Sequence, residues 1–341
     1  MRSAMPFDIV LMTSIMSYWY PGAQKAIEIV RDTAGDVPVI LGGIYASLYH
    51  EHASQNSGAD FIYKGRLNES LNFALYTFGF KLKRKGEPKP YYKLDLYGEY
   101  PFAPLLTAQG CPFNCSYCAS GLLSANYQRR PLEDVFREVC GLYNMGVRDL
   151  AFYDDALLID PEDHIKPILR KIAGTGLELR LHTPNGLHAR FIDYELAGLM
   201  KKSGFKTIRL SLETADPERQ RNTGGKVNNE DMKRAVMLFK KHGFTKQDIG
   251  VYLMYGLPGQ DIEEVKEGIE FLKSLNVRIN LTEFSPIKGT KAWDELVKNG
   301  VISDNLDPLL TNNTVFSYLY SDYDHEELKK IRLDAKKYNT V

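Results

Sequence analysis

Cysteine and tryptophan are scarce, with four and two among 341 residues. Four cysteines cannot staple a fold of this size, which excludes a disulfide framework and the small secreted scaffolds that depend on one. A long apolar run is missing as well. No stretch approaches the roughly 18 consecutive apolar residues of a membrane-spanning helix. The opening MRSAMPFDIV lacks the charged, apolar, small-residue order of a secretory leader. Neither sign of charge dominates, with 43 Lys and Arg against 43 Asp and Glu. Nucleic-acid and membrane-surface partners usually show as a basic excess, so neither is expected. A cytoplasmic location is the default expectation.

What is present is an ordinary globular composition, 44% hydrophobic and 25% charged, enough for one large domain or one large and one small. From residue 7 onward, short β-branched runs alternate with amphipathic stretches. Phe7–Met12, Val37–Leu41 and Asp60–Tyr63 read as strands. Pro21–Arg31, Tyr45–Asn56 and Glu69–Leu75 read as helices. This alternation predicts a parallel sheet. Residues 81–102, rich in lysine and proline at their start, read as a linker. From 103 to 295 a longer alternation follows, with strands expected at Leu105–Ala108, Asp149–Tyr153, Glu178–His182, Thr207–Leu212, Ile249–Met254 and Ile279–Phe284. Six strand–helix repeats predict a barrel-type sheet short of the eight strands that close one. The predicted class is α/β: a small α/β unit at 1–80, the linker, a partial (βα)6 barrel, and a helical extension at 296–341.

Three of the four cysteines lie within eight residues, in Gln109-Gly-Cys111-Pro-Phe-Asn-Cys115-Ser-Tyr-Cys118. Gly110, Pro112 and Asn114 suit a tight loop. Three thiolates on a four-iron cubane leave one iron open to the amino and carboxylate groups of a small molecule. Structural zinc usually takes four protein ligands from two paired knuckles, and only one C-x2-C pair exists here. A redox pair would leave Cys111 unexplained. Cys140, among Val135 and Val139, reads as an inert core thiol.

The C-x3-C-x-aromatic-C form, with the barrel-like alternation around it, resembles the radical S-adenosylmethionine (SAM) superfamily. The resemblance implies a [4Fe-4S] cluster on Cys111, Cys115 and Cys118, SAM as cofactor, and a reductant such as flavodoxin or ferredoxin. It implies that Tyr117 helps seat adenine and that Ser211 and Glu213 contact the ribose and methionine end. It places Val251, Tyr255 and Leu257, around Gly256-Leu-Pro-Gly259-Gln260, near the adenine. The family's Gly-Gly-Glu after the second strand is replaced by Tyr153-Asp154-Asp155, so Asp154 or Asp155 would meet the cofactor's amino group. Arg209 and Arg221 read either as partners of the cofactor carboxylate or as partners of surface acids. His182 and His188 read equally as structural histidines, Asp155 as a turn residue, and Gly256–Gly259 as a plain turn.

The first 80 residues resemble the second half of a cobalamin-binding, Rossmann-like domain, through Ser17–Gly22, Ile40-Leu-Gly-Gly43 and Ala59–Gly65. In that family the paired glycines let the backbone approach the nucleotide tail. The unit reads as a truncated form or a retained scaffold, with a sheet edge left open. The whole implies an enzyme that cleaves SAM reductively and takes hydrogen from a small-molecule substrate, with methylation if cobalamin is bound. The competing expectation is an inactive iron–sulfur binding or regulatory protein. Methyl transfer by polar displacement from SAM would leave the three cysteines without a purpose.

Overall fold

The computed structural model describes residues 7–65, 69–81, 101–124, 126–320 and 323–340. Most of the expected linker lies outside the described residues. Among them, no helix is long and apolar enough to cross a membrane. The chain forms two compact units that are not consecutive in sequence. One comprises Met1–Glu87, Tyr117–Ser124 and Ser285–Ser321; the other comprises Pro88–Ser116, Ala125–Phe284 and Asp322–Val341. This differs from the linear division expected at 80, 102 and 295, because the last 46 residues are shared out by their contacts. Tyr20 donates to Asp307 at 3.1 Å and Tyr49 packs edge-on against Trp293, which ties 285–321 to the first unit. Asn339 bonds both backbone groups of Ile279, which ties the final helix, His325–Thr340, to the second.

The first unit holds a parallel sheet of β1 (Val10–Ser14), β2 (Val39–Gly42) and β3 (Phe61–Ile62), in that order. Helix Tyr20–Ala34 buries Ala23, Ile27 and Val30, the spacing that periodicity predicts. The single helix expected over Tyr45–Asn56 is two, Gly43–Leu48 and His50–Asn56. The break falls at Tyr49, whose φ of −121° and ψ of 49° leave the helical region while its ring is buried.

The second unit contains β4 (Phe102–Leu105), a small antiparallel pair β5 (Ala108–Gln109) and β6 (Gln128–Arg129), then β7 (Asp149–Phe152), β8 (Arg180–His182), β9 (Phe205–Glu213), β10 (Ile249–Tyr255) and β11 (Arg278–Glu283). Six of these form one parallel sheet in the order β4-β7-β8-β9-β10-β11. Neighbours in space follow one another along that series, so right-handed crossovers put every helix on the same face. That is the architecture of a partial barrel. The β5–β6 pair was not expected, since two-residue strands carry no readable period.

Helix Asn229–Lys241 shows how the outer layer is specified. Asn228 caps it by accepting from the Asp231 N–H at 2.8 Å, worth about 1 kcal/mol, and Met232, Ala235, Val236 and Phe239 are buried along one stripe. Beneath the helices, Ile208, Leu210 and Leu212 of β9 and Ile249, Val251 and Leu253 of β10 belong to the apolar core. Their alternates, Thr207, Arg209 and Ser211, and Gly250, Tyr252 and Met254, therefore face the inner side of the sheet.

Candidate active site

The cysteine loop leaves β5 and is held by segments that follow other strands. Phe113, between Cys111 and Cys115, stacks on His188 with ring centroids 4.7 Å apart, and Phe191 lies 6.3 Å away. The Ser116 N–H donates to the Thr223 carbonyl at 3.1 Å. Gly224 follows at φ +129°, and a Cβ there would stand 2.9 Å from Cys115 Cα and 3.2 Å from its Sγ. Cys115 is buried, Cys111 half-buried and Cys118 exposed, with the Cys118 Sγ 3.3 Å from Ser120 Oγ. None of the four cysteines is in a disulfide. Among the described residues no three His, Cys, Asp or Glu side chains converge on the position of a single ion. A four-iron cubane spreads three thiolates over separate irons, so the donor set and the space that Gly224 keeps for Cys115 fit such a cluster.

His188 is 5% exposed, and burial, followed by the charges of Lys226 and Arg190, pushes it down to about 3 from 6.5. It is neutral in the fold, whereas the unfolded chain takes up its proton below about 6.5. Its contribution to stability is therefore whole above that pH and is lost as pH falls toward 3. His188→Phe keeps the stack on Phe113 and should move the midpoint of acid unfolding, followed by circular dichroism, to lower pH. An unmoved midpoint would sink this reading.

Asp154 is 3% exposed at the end of β7. Its Oδ1 accepts from Thr107 N–H at 2.9 Å, Thr107 Oγ1–H at 2.7 Å and Ala108 N–H at 2.6 Å. The Thr107 hydroxyl has spent its proton, so at 2.8 Å the His164 Nε2–H donates to it. Burial pushes Asp154 up to about 6 against those hydrogen bonds, and His164 down to about 4, with Arg129 adding to the second shift. Oδ2 is buried with no partner. Asp154 thus grips the chain just ahead of the cysteine loop, while Asp155 is exposed.

At the far end of β9, Ser211 and Glu213 are both buried, and a register shift against β10 leaves Leu212 without a partner. Such a bulge re-aims the side chains around it. Glu213 sits at φ +68°, a conformation costing a residue with a Cβ about 1 kcal/mol or more, and pairs with Lys226 at 2.8 Å. The Gly256–Gly259 turn is clamped. Arg219 donates to the Pro258 and Gly259 carbonyls at 2.8 and 2.9 Å, and Tyr323 OH donates to Gln260 O at 3.0 Å.

The remaining expectations divide. Val251 and Tyr255 are buried in the core on the helical side of β10, and the Tyr255 hydroxyl donates to Glu283, so neither is brought to the inner face. Leu257 is buried in the clamped turn, Tyr117 half-buried, and Arg221 exposed on the short helix Pro217–Asn222. His182 is structural, bonded to Thr207 Oγ1 at 2.8 Å and Asp149 Oδ1 at 3.0 Å. The sequence reading missed Thr107, His164, Gly224 and Lys226. Only Gly224, in Thr-Gly-Gly-Lys after the Ser211–Glu213 strand end, carried a visible signal.

Residues 105–272 match the radical SAM superfamily, and this stretch is a radical SAM domain. Within that superfamily the fold is shared with the radical S-adenosylmethionine methyltransferase TsrM of Kitasatospora setae. One structure, with tryptophan and a SAM analogue bound, aligns at TM-score 0.74 and 18% identity over 87% of this chain and 66% of that one. Another, with cobalamin and a [4Fe-4S] cluster, aligns at 0.73, again at 18% identity, over 87% and 68%. An uncharacterized methyltransferase of Pyrococcus horikoshii is 28% identical over 218 residues, 63% of this chain and 46% of that protein. The hopanoid C-2 methylase of Rhodopseudomonas palustris is 23% identical over 313 residues, 82% of this chain and 57% of that protein. The chain spans about half the length of these curated relatives.

Proposed function

We propose that this chain is a radical SAM enzyme that takes hydrogen from a small-molecule substrate. The observation that carries the reading is the C-x3-C-x2-C loop whose buried Cys115 lies against a residue that must be glycine. Cys111, Cys115 and Cys118 would hold a [4Fe-4S] cluster as thiolates. When bound and reduced, the cluster supplies the electron that splits SAM into methionine and a 5′-deoxyadenosyl radical. Ser211 and Glu213 would bind the cofactor's ribose and methionine end, and Lys226, paired with Glu213, would orient it. Tyr117 and Leu257 seat the adenine, and Asp155 and Arg221 are the remaining candidates for the amino and carboxylate groups. Asp154 positions the loop from behind. Flavodoxin or ferredoxin would be the reductant.

Relatives are named as a methyltransferase and a methylase, and with cobalamin bound to carry the methyl group, methyl transfer to carbon would follow; without it the substrate radical would go on to rearrangement, oxidation or bond formation. The first unit does not offer cobalamin the close approach expected of it. The glycine expected to admit its nucleotide tail is used by the chain itself: at Gly43, φ +90°, a Cβ would stand 2.4 Å from Thr13 Oγ1 and 2.5 Å from the Ser14 carbonyl. The close approach there is between β1 and the turn after β2.

Anaerobic iron–sulfur reconstitution, then dithionite and SAM, should yield 5′-deoxyadenosine by mass spectrometry, and Cys115→Ala should abolish it. A fully loaded cluster yielding none would favour the inactive binding or regulatory protein instead.

A further inference from the structure

The inner face of the six-stranded sheet carries charge that this reading leaves unused. Arg209 on β9 and Arg278 on β11 both pair in register with Gly250 on β10, one from each side. Because Gly250 has no side chain, side chains from both neighbouring strands close over β10 at this point. A Cβ there would stand 2.7 Å from Asn280 Oδ1 and 3.0 Å from Arg209 Nη1. Neither guanidinium has a carboxylate partner among the described residues. Arg209 donates to its neighbour's carbonyl, Ile208 O, at 3.1 Å. Arg278 donates to the Gln247 amide oxygen at 3.3 Å, and its Nε is buried without any partner.

Acids on and beside these strands are already engaged, Asp248 ahead of β10 by the Thr245 N–H and Oγ1–H. Asp149 is taken by Arg180 and His182, and Glu213 by Lys226. Tyr252, one pleat nearer the C-terminal strand ends and level with Ser211, reaches across to the Pro184 carbonyl at 2.7 Å. Arg209 and Arg278 lie on the other side of it. Burial, and the like charge of Arg278, pull Arg209 below the usual arginine range, although Tyr252 opposes them. Two half-buried like charges without counter-charge are costly in water-poor surroundings. Paired guanidinium forks are the arrangement that matches the planar or tetrahedral oxygens of an anion.

We propose that Arg209 and Arg278, with Asn280 beside them, form an oxyanion site that takes the carboxylate or phosphate group of a small molecule. The site lies one pleat below Ser211 and stands independently of SAM cleavage.

Phenylglyoxal, which modifies arginine, tests this on the full chain, with peptide mass spectrometry reading each residue. Millimolar phosphate, or benzoate, against chloride at matched ionic strength, should slow labelling of Arg209 and Arg278 about fivefold or more, with exposed Arg137 unaffected. Protection by phosphate alone assigns the site to phosphate groups, and by benzoate alone to carboxylates. No protection by either anion overturns the proposal. In Arg278→Gln the protection of Arg209 should vanish, and in Arg278→Lys, which keeps the charge and loses the fork, it should be intermediate. Full protection of Arg209 in both variants, with wild-type melting curves, also overturns it. Because the readout needs neither cluster nor cofactor, a chain that fails to cleave SAM yet shows protection separates this proposal from the reaction reading.

Discussion

An alanine at Gly224 is expected to strip the chain of its iron–sulfur cluster without unfolding the sheet. The glycine stands at φ +129°, where a residue with a Cβ is strained by about 1–3 kcal/mol. The new Cβ would also meet Cys115 Cα at 2.9 Å, and backbone cannot rotate out of the way as a side chain can. Overpacking of that kind costs about 1–3 kcal/mol more. The relief available is to part the two segments, breaking the Ser116 N–H to Thr223 O bond of 3.1 Å and moving Cys115. Together, about 2–6 kcal/mol fall on one loop, a loss of at least about thirtyfold in the population holding the thiolate in place. Iron and sulfide content after reconstitution measures it, and a far-ultraviolet melt checks that the fold survives. A variant that loads its full complement of iron would show that Cys115 does not need this contact.

That contact also marks where the sequence was legible and where it was not. The three cysteines, five of the six strands of the large sheet and the polar residues at their C-terminal ends could be read, because strands buried on one face and stopped by turns leave a pattern at short range; the first strand, expected at Leu105–Ala108, lies at Phe102–Leu105. The face each residue takes could not be read as easily. Val251 and Tyr255 sit beside Gly250, Tyr252 and Met254, and a strand that is apolar at nearly every position gives no period by which to tell helix side from inner side. Register is worse still. The slips at Leu181/His182 and at Tyr252/Leu253 are set by the neighbouring strand, not by the strand that carries them. Partners distant in sequence were invisible for the same reason. Thr107 lies 47 residues from Asp154 and 57 from His164, the two side chains it bonds. The division into units was hidden too, since it depends on Tyr20 meeting Asp307 across 287 residues.

Asp154 is the residue whose role changed most between sequence and structure, and a pair of substitutions decides it. Asp154→Ala removes the single oxygen that accepts from Thr107 N–H, Thr107 Oγ1–H and Ala108 N–H. Two buried backbone donors would lose their acceptor, at about 1–3 kcal/mol each. The chain entering the cysteine loop would shift, and a displacement near 1 Å can slow a positioned reaction about a hundredfold. SAM cleavage in Asp154→Ala should fall by that order. Asp154→Asn keeps Oδ1 and should retain most of the activity. It also removes a charge whose burial raises the native pKa from 3.8 to about 6. Between those values the native state binds more protons than the unfolded one, so the wild type loses stability as pH rises through that window. The Asn variant should lack this decline, and its melting temperature relative to wild type should climb from pH 4 to pH 7. If Asp154 instead held the cofactor's amino group as a carboxylate, the Asn variant would lose SAM affinity while its cluster content stayed whole. Retained affinity in Asn together with lost activity in Ala leaves only the grip on Thr107 and Ala108 as the function of this side chain.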